Sequence, residues 1–451
     1  MTTDRPLGRR PFRRAVWVLW VFAGSLVVAS LALVAVNLLS GPRLTDVDVD
    51  TTAVVSSANA RLVLATNREL APVTADQISI EPAAAFHVTT SDNSVVIAFS
   101  QPLAYNTDYA VAVRGITGTA GDQQSTVNAE FSTSEPLMYY LNRAAPTDDS
   151  SARAADRILR TTTGSTATSV AFATPNIQEF VPIGSELAVV TASTGQGSAD
   201  LASALYRVDG GGTAAVLNLP GVGLVHDLQA APGQSLLGFR FTSSAVAPGP
   251  RYESVLFVLD LRTNVATPVT GLDGDPLIVT TWGFMAGRAD IVAQQSDSTL
   301  LLIDPLDQSG GAPVPLGQFA NLTAFAPDGV RIAVADRDGQ YLLDLSQGTE
   351  RTIVPQIVEG TTEFTAQLQF LVQDAEVRTV YVPASATETI VGFELSPNDQ
   401  YLAVHIVPNR ETDASDGYPV NAQTTDATTL FVNVATGEVR RSVLGFDATW
   451  P

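Results

Sequence analysis

The sequence predicts an all-β fold behind one apolar, membrane-spanning helix. Three observations carry this reading. Residues 15–39 hold no charged side chain. The remainder is written in short runs that alternate apolar and polar residues, bounded by Gly, Pro, Asn and Asp, the signature of strands joined by tight turns. In the C-terminal two-thirds a strand–turn–strand pattern recurs, and such a recurrence marks a repeat architecture.

The apolar segment comes first. Residues 1–14 form a basic tail in which Arg5, Arg9, Arg10, Arg13 and Arg14 oppose Asp4, a net of +4. Residues 15–39 then read AVWVLWVFAGSLVVASLALVAVNLL. A helix needs about 20 apolar residues to cross the hydrocarbon core, and Trp17 and Trp20 lie where aromatic rings favour the interface. The basic cluster puts the N-terminus in the cytoplasm and the bulk of the chain outside, in the cell membrane. A cleaved signal peptide is the alternative, with a small-residue site such as Ser30-Leu31-Ala32, but its apolar stretch would usually be about 7–15 residues. Either way the rest is extracytoplasmic.

Composition sets the outer bounds. Of 451 residues 45% are apolar and 16% charged, enough hydrophobic material for two or three packed domains. The net charge of −21, less the basic tail, leaves about −25 on the remainder. A surface that acidic repels phosphate backbones, so no nucleic-acid partner is expected. Cysteine is absent, which removes disulfides, thiolate metal sites and Cys nucleophiles. Lysine is absent too, all 25 basic residues being Arg, which removes P-loop and Schiff-base chemistry.

Residues 43–134 alternate like a small β-sandwich, with strands expected at 43–49, 60–65, 77–81, 94–99, 108–114 and 126–132. Within it, Pro102-Leu103, Thr107-Asp108-Tyr109, Gly121-Asp122-Gln123 and Phe131-Ser132-Thr133 form a pattern that resembles the end of the bacterial Ig-like domain of S-layer type. The resemblance implies a spacer or adhesive module. Asp46, Asp48 and Asp50 invite a calcium reading, but period-2 spacing puts all three on one strand face, without the convergent loop ligands Ca²⁺ needs.

Residues 136–451 carry the repeat. Ala326-Pro-Asp-Gly329, Ser396-Pro-Asn-Asp399 and Ala231-Pro-Gly-Gln234 each precede an apolar strand, and weaker copies begin at Pro182-Ile-Gly-Ser185 and Met285-Ala-Gly-Arg288. Four short antiparallel strands every 40–55 residues or so is the period of a propeller blade. The motif resembles the WD-like, TolB-like β-propellers of bacteria, which implies a fold and no particular activity. The domain opens with three strands (137–142, 156–162, 168–173), and residues 445–451 read as an unpartnered inner strand. A ring closes if the last strand completes the first blade, removing the open edge. The count is seven blades, or six if the weakly patterned stretch near 360–390 is not one.

Long insertions fall at the second-to-third-strand connections, at 143–155, 193–203, 242–253 and 408–428. These four blades are consecutive around the ring, so the loops should crowd one side of one face, where binding function concentrates. Arg410, Glu411, Asp413, Asp416, Tyr418 and Asn421 are the candidate partner-binding residues.

Catalytic signatures are missing. His87, His226 and His405 show no metal-ligand spacing, and no G-x-S-x-G elbow, P-loop or dinucleotide fingerprint occurs. The Gly210-Gly211-Gly212 run belongs to a hairpin turn. No catalytic residue, metal or cofactor is expected. The sequence therefore reads as a non-enzymatic, membrane-anchored binding or scaffold protein of the bacterial cell envelope, presenting its propeller to a protein or a glycan. Two alternatives stand beside it. One is a propeller-type carbohydrate-active hydrolase or lyase, which a convergent carboxylate pair near the central channel would favour. The other is a ligand-sensing subunit of a membrane complex.

Overall fold

The computed structural model describes residues 41–451 except 120, 145–153, 193–200, 246–248, 307–311, 326–328, 338, 346–349, 354–356, 363–364, 373–375 and 419; N-terminal to these it describes only residues 17, 20 and 22–25. The basic tail and nearly all of the expected membrane segment lie outside the described residues. Among the described residues no helix is long and apolar enough to cross a membrane. The chain divides into two units. The first comprises 1–50, 61–98 and 108–131, and the second 51–60, 99–107 and 132–451.

The first unit is built on two antiparallel sheets. One orders Leu44–Val49, Arg61–Thr66, Ser94–Phe99 and Phe86–Ser91; the other orders Ile78–Glu81, Asp108–Gly118 and Gly121–Ser132. Alternate residues of each are buried, Leu62, Leu64, Val95 and Ile97 in the first and Val111, Val113, Val127 and Ala129 in the second. That is the two-faced burial of a sandwich. Phe86–Ser91 was not expected as a strand: its sequence FHVTTS alternates between half-buried and exposed positions and buries no side chain fully. A two-residue turn at Asp92-Asn93, with Asp92 at φ 49°, returns it into Ser94–Phe99. Asp46, Asp48 and Asp50 are all exposed while Val47 and Val49 are half-buried, as period-2 alternation requires.

Among the described residues the second unit contains seven sheets. Blade one holds Leu137–Asn142, Asp156–Thr162 and Thr168–Thr174, and Phe446–Thr449 is its innermost strand. Phe446 pairs with Leu141 and Thr449 with Tyr139, so the last strand closes the first blade as the repeat predicts. Blade two runs from Ile177 to Leu217, blade three from Gly223 to Pro268, blade four from Thr281 to Gln318, blade five from Asn321 to Ile353 and blade seven from Thr389 to Leu444, each with four strands. Blade six, from Ile357 to Tyr381, has three among the described residues. This is a β-propeller whose ring is fastened by its C-terminal strand.

The repeated turns explain its regularity. Between the first two strands of blades two, three, four, five and seven, the residue at positive φ is Gly184, Gly233, Gly287, Gly329 or Asp399. In the last of these the Ser396 hydroxyl donates to Asn398 Oδ1 (2.9 Å) and accepts from the Tyr401 N–H (2.9 Å), so side chains hold the turn.

The core lies between blades. In blade three the odd-numbered Leu237, Phe239, Phe241, Phe257 and Leu259 pack with Val190 and Leu205 of blade two. The even-numbered Leu236, Leu256 and Val258 pack with Trp282, Phe284 and Ile291 of blade four. Period-2 alternation thus feeds two interfaces from one strand. Fully burying a Phe or Leu contributes about 1.5–3 kcal/mol, so these interfaces hold the ring together. At the closing seam Phe446 packs toward blade two and Ala448 and Trp450 toward blade seven; three even-numbered residues face two ways because the register shifts between Phe446 and Thr449.

Candidate functional site

A buried polar cluster lies at this seam, where blades seven, one and two meet. The long connection of blade seven, 408–427, folds back over it. Arg143, just after Leu137–Asn142 of blade one, is the centre. Its Nη1 donates to Asp416 Oδ2 (2.8 Å) and to the Asn421 carbonyl (2.7 Å). Its Nε and Nη2 donate to the carbonyls of Ile177 (3.0 Å) and Gln178 (3.1 Å) in blade two. The guanidinium lies 4.1 Å from the Tyr418 ring centroid and 4.9 Å from that of Phe446. Arg143 and Asp416 side chains are only 2% and 3% exposed, a burial that is tolerable only because the charges are paired and hydrogen-bonded.

Asp156 is the second buried acid, fully enclosed. It accepts from the Ala144 N–H (2.9 Å), the Ile177 N–H (2.9 Å) and the Tyr418 hydroxyl. Glu179 of blade two accepts from Asn421 Nδ2 (3.0 Å) and from the Leu228 N–H of blade three (2.8 Å). Side chains from one long loop therefore tie three blades together.

Of the six candidate loop residues, Asp416 and Tyr418 are buried in this network, and Asn421, exposed, is bonded to Glu179 and Arg143. Arg410, Glu411 and Asp413 are exposed. The loop thus divides into an inner half that fastens blades and an outer half that faces solvent. Most of the other long loops, at 145–153, 193–200 and 246–248, fall outside the described residues.

Between the outer half of the loop and blade seven lies a cleft of about 340 Å³. Its walls include Val391, His405, Arg410, Asp413, Gln423 and Phe446. Burial lowers the His405 pKa to about 4, so the ring is neutral at pH 7.

A pair of acids stands nearby on the innermost strands. Glu394 belongs to Thr389–Leu395 of blade seven and Asp447 to Phe446–Thr449 of blade one. Both are exposed on their strands, and the protein packed around them removes part of their solvation. Desolvation, reinforced by the Asp447 charge, pushes the Glu394 carboxyl up to about 8. Desolvation also pushes Asp447 up to about 6, with Arg143 opposing and Glu179 adding to the shift. Asp447 sits at φ 49° where the strand register shifts between Phe446 and Thr449. Similar shifts interrupt the innermost strands of blades two, three, five and seven. Such bulges re-aim side chains and recur beside active sites. Two carboxyls held apart in acidity can supply a proton donor and a proton acceptor near neutral pH. No motif marks them, because the pair forms only when the ring closes. Among the described residues no group of three or more His, Asp or Glu is arranged to hold a metal ion.

No family model matches the chain, and no curated protein matches it in sequence. The resemblances to bacterial Ig-like and TolB-like families therefore have no matching model behind them. Solved structures similar to it are β-propeller proteins. The β-propeller domain of the Trilobed protease from Pyrococcus furiosus matches at 10% identity and TM-score 0.37, over 75% of this chain and 97% of that one. An acylaminoacyl peptidase from Pyrococcus horikoshii matches at 11% identity and TM-score 0.40, over 76% of this chain and 51% of that one. The dihydro-heme d1 dehydrogenase NirN matches at 11% and 0.40, over 70% and 74%. The expectation of a non-enzymatic protein is corrected here. It rested on missing sequence motifs, whereas similar structures include a protease propeller and a peptidase, and the seam carries an acid pair that no motif reveals.

Proposed function

We propose that this chain is a propeller-type hydrolase or lyase acting on carbohydrate of the cell envelope. The observation that carries the reading is the pairing of Glu394 and Asp447 on adjoining innermost strands, with their acidities pushed to about 8 and about 6. At pH 7 Glu394 is then largely protonated and Asp447 largely ionised. In hydrolysis, Glu394 gives its proton to the leaving oxygen as the glycosidic C–O bond breaks. Asp447 takes a proton from the water whose oxygen forms the new bond. Each carboxyl ends in the opposite protonation state and proton exchange with solvent restores both. The basic tail and the uncharged 15–39 segment support a membrane anchor with the propeller held outside the cell.

The test is release of reducing ends from purified cell-envelope polysaccharides by the intact chain, compared with Glu394→Gln and Asp447→Asn. Removing an acid or base in such a pair lowers the rate by about 10²–10⁴-fold. Release at the parent rate by both variants, or no release by the parent from any of these polysaccharides, overturns the proposal.

A further inference from the structure

The cleft beneath the blade-seven loop holds a histidine whose tautomer is fixed by its neighbours. His405 Nδ1 lies 3.0 Å from Thr429 Oγ1. That hydroxyl has one proton, and it is donated to the Gly445 carbonyl at 2.9 Å. Thr429 must therefore accept from His405, which puts the imidazole proton on Nδ1 and leaves Nε2 as a bare acceptor. Nε2 has no hydrogen-bond partner among the described residues, and His405 lines the cleft.

The rest of the wall complements that acceptor. Arg410 offers donors and Asp413 offers acceptors, both exposed, and their charges cancel. Val391 and Phe446 give the cleft an apolar side. A volume of about 340 Å³ lies within the range of small-molecule sites, which are mostly apolar with a few placed polar groups. The titratable groups facing the space are His405, Arg410 and Asp413.

We infer that this cleft binds a neutral, hydroxyl-rich ring of sugar type, with His405 Nε2 accepting a ligand hydroxyl proton, Arg410 and Asp413 bonding further hydroxyls, and Phe446 and Val391 meeting the apolar face of the ring. The inference does not rest on the acid pair at the seam. It concerns binding alone and is read without turnover.

The experiment is saturation-transfer NMR on the intact chain with methyl β-D-glucopyranoside and, as its anionic counterpart, D-glucuronate. Transfer to the neutral glycoside is expected in preference to the anion. His405→Phe should weaken binding ~10-fold, the worth of one hydrogen bond of about 1.4 kcal/mol. Thr429→Val, which keeps the ring but frees its tautomer, should weaken it ~3-fold, because part of the population then presents the wrong nitrogen. Near-UV circular dichroism on the same samples reports folding. Binding to the parent should also fall away as pH drops through about 4, where Nε2 gains its proton. No transfer to the glycoside, preference for glucuronate, or undiminished binding in both folded variants overturns the inference.

Discussion

Blades three and four and the seam of blades seven, one and two share one fold and apolar packing between blades, but the seam adds a buried polar network to it. The interface of blades three and four is apolar: Trp282 and Phe284 meet edge to face at 5.5 Å, and Gly238 leaves room for the Trp282 ring. Phe239 and Phe257 stack at 6.1 Å on the side toward blade two. At the seam the enclosed groups include the polar Arg143, Asp416, Asp156 and Tyr418. Apolar packing is non-directional and tolerates small shifts, whereas a buried ion pair fixes position at a desolvation cost. A chain that uses the costlier device at one place fixes that place, and here it is the one beside Asp447 and the His405 cleft.

That contrast can be broken at several points, in falling order of effect. Arg143→Ala should destabilise the propeller most, by about 3–5 kcal/mol, because it removes the cation paired with the buried Asp416 carboxylate; Arg143→Met with Asp416→Leu should recover much of the loss. Urea denaturation of both variants checks this, and a double variant no better than the single would show that the hydrogen bonds to blade two matter more than the pair. Tyr418→Phe removes a donor to the enclosed Asp156 and should cost about 1–3 kcal/mol. On the apolar side Gly238→Ala puts a Cβ 2.3 Å from the Trp282 ring, and overpacking of this kind costs about 1–3 kcal/mol. Arg207→Ala breaks a partly exposed pair with Glu186 and should change stability by only about 0–1 kcal/mol.

A pH prediction separates the two regions further. The folded-state pKa values of Glu394 and Asp447 lie above the ordinary carboxylate range. Folding therefore favours their protonated forms. Their contribution is fully present below about pH 4 and is lost as pH rises through about 6 and about 8. Between pH 5 and pH 9 the denaturation midpoint should fall for the parent and fall less for Glu394→Gln. Equal falls would remove Glu394 from the account.

Much of the fold is legible in sequence because its determinants are local. The Ser396-Pro-Asn-Asp399 turn is held by its own side chains, and period-2 alternation marks strands such as Leu236–Ser243. The closing strand is legible because its absence from blade one is as visible as its presence at the chain end. Phe86–Ser91 escapes notice because half-buried alternation without a fully buried residue looks like a loop. The site is harder to read. Asp416 and Tyr418 look like ligand contacts in a polar loop, yet their partners Arg143 and Asp156 lie 273 and 262 residues away. Glu394 and Asp447 carry no motif; their acidity comes from the surrounding protein, with the Asp447 charge adding to the shift of Glu394. The Gly445-Phe446-Asp447 segment offers one local clue, an acid at the start of an inner strand, and only the bulge gives it meaning.

The most direct test of the acid pair is carboxyl-detected NMR titration of the intact chain, with ¹³C-labelled Glu and Asp and with Glu394→Gln to assign the signals. The account predicts a dyad titrating with apparent values near 8 and 6, the upper step vanishing in Glu394→Gln. Two carboxyls that both titrate in the ordinary range near 4 would contradict it, and with it the proposed chemistry of the seam.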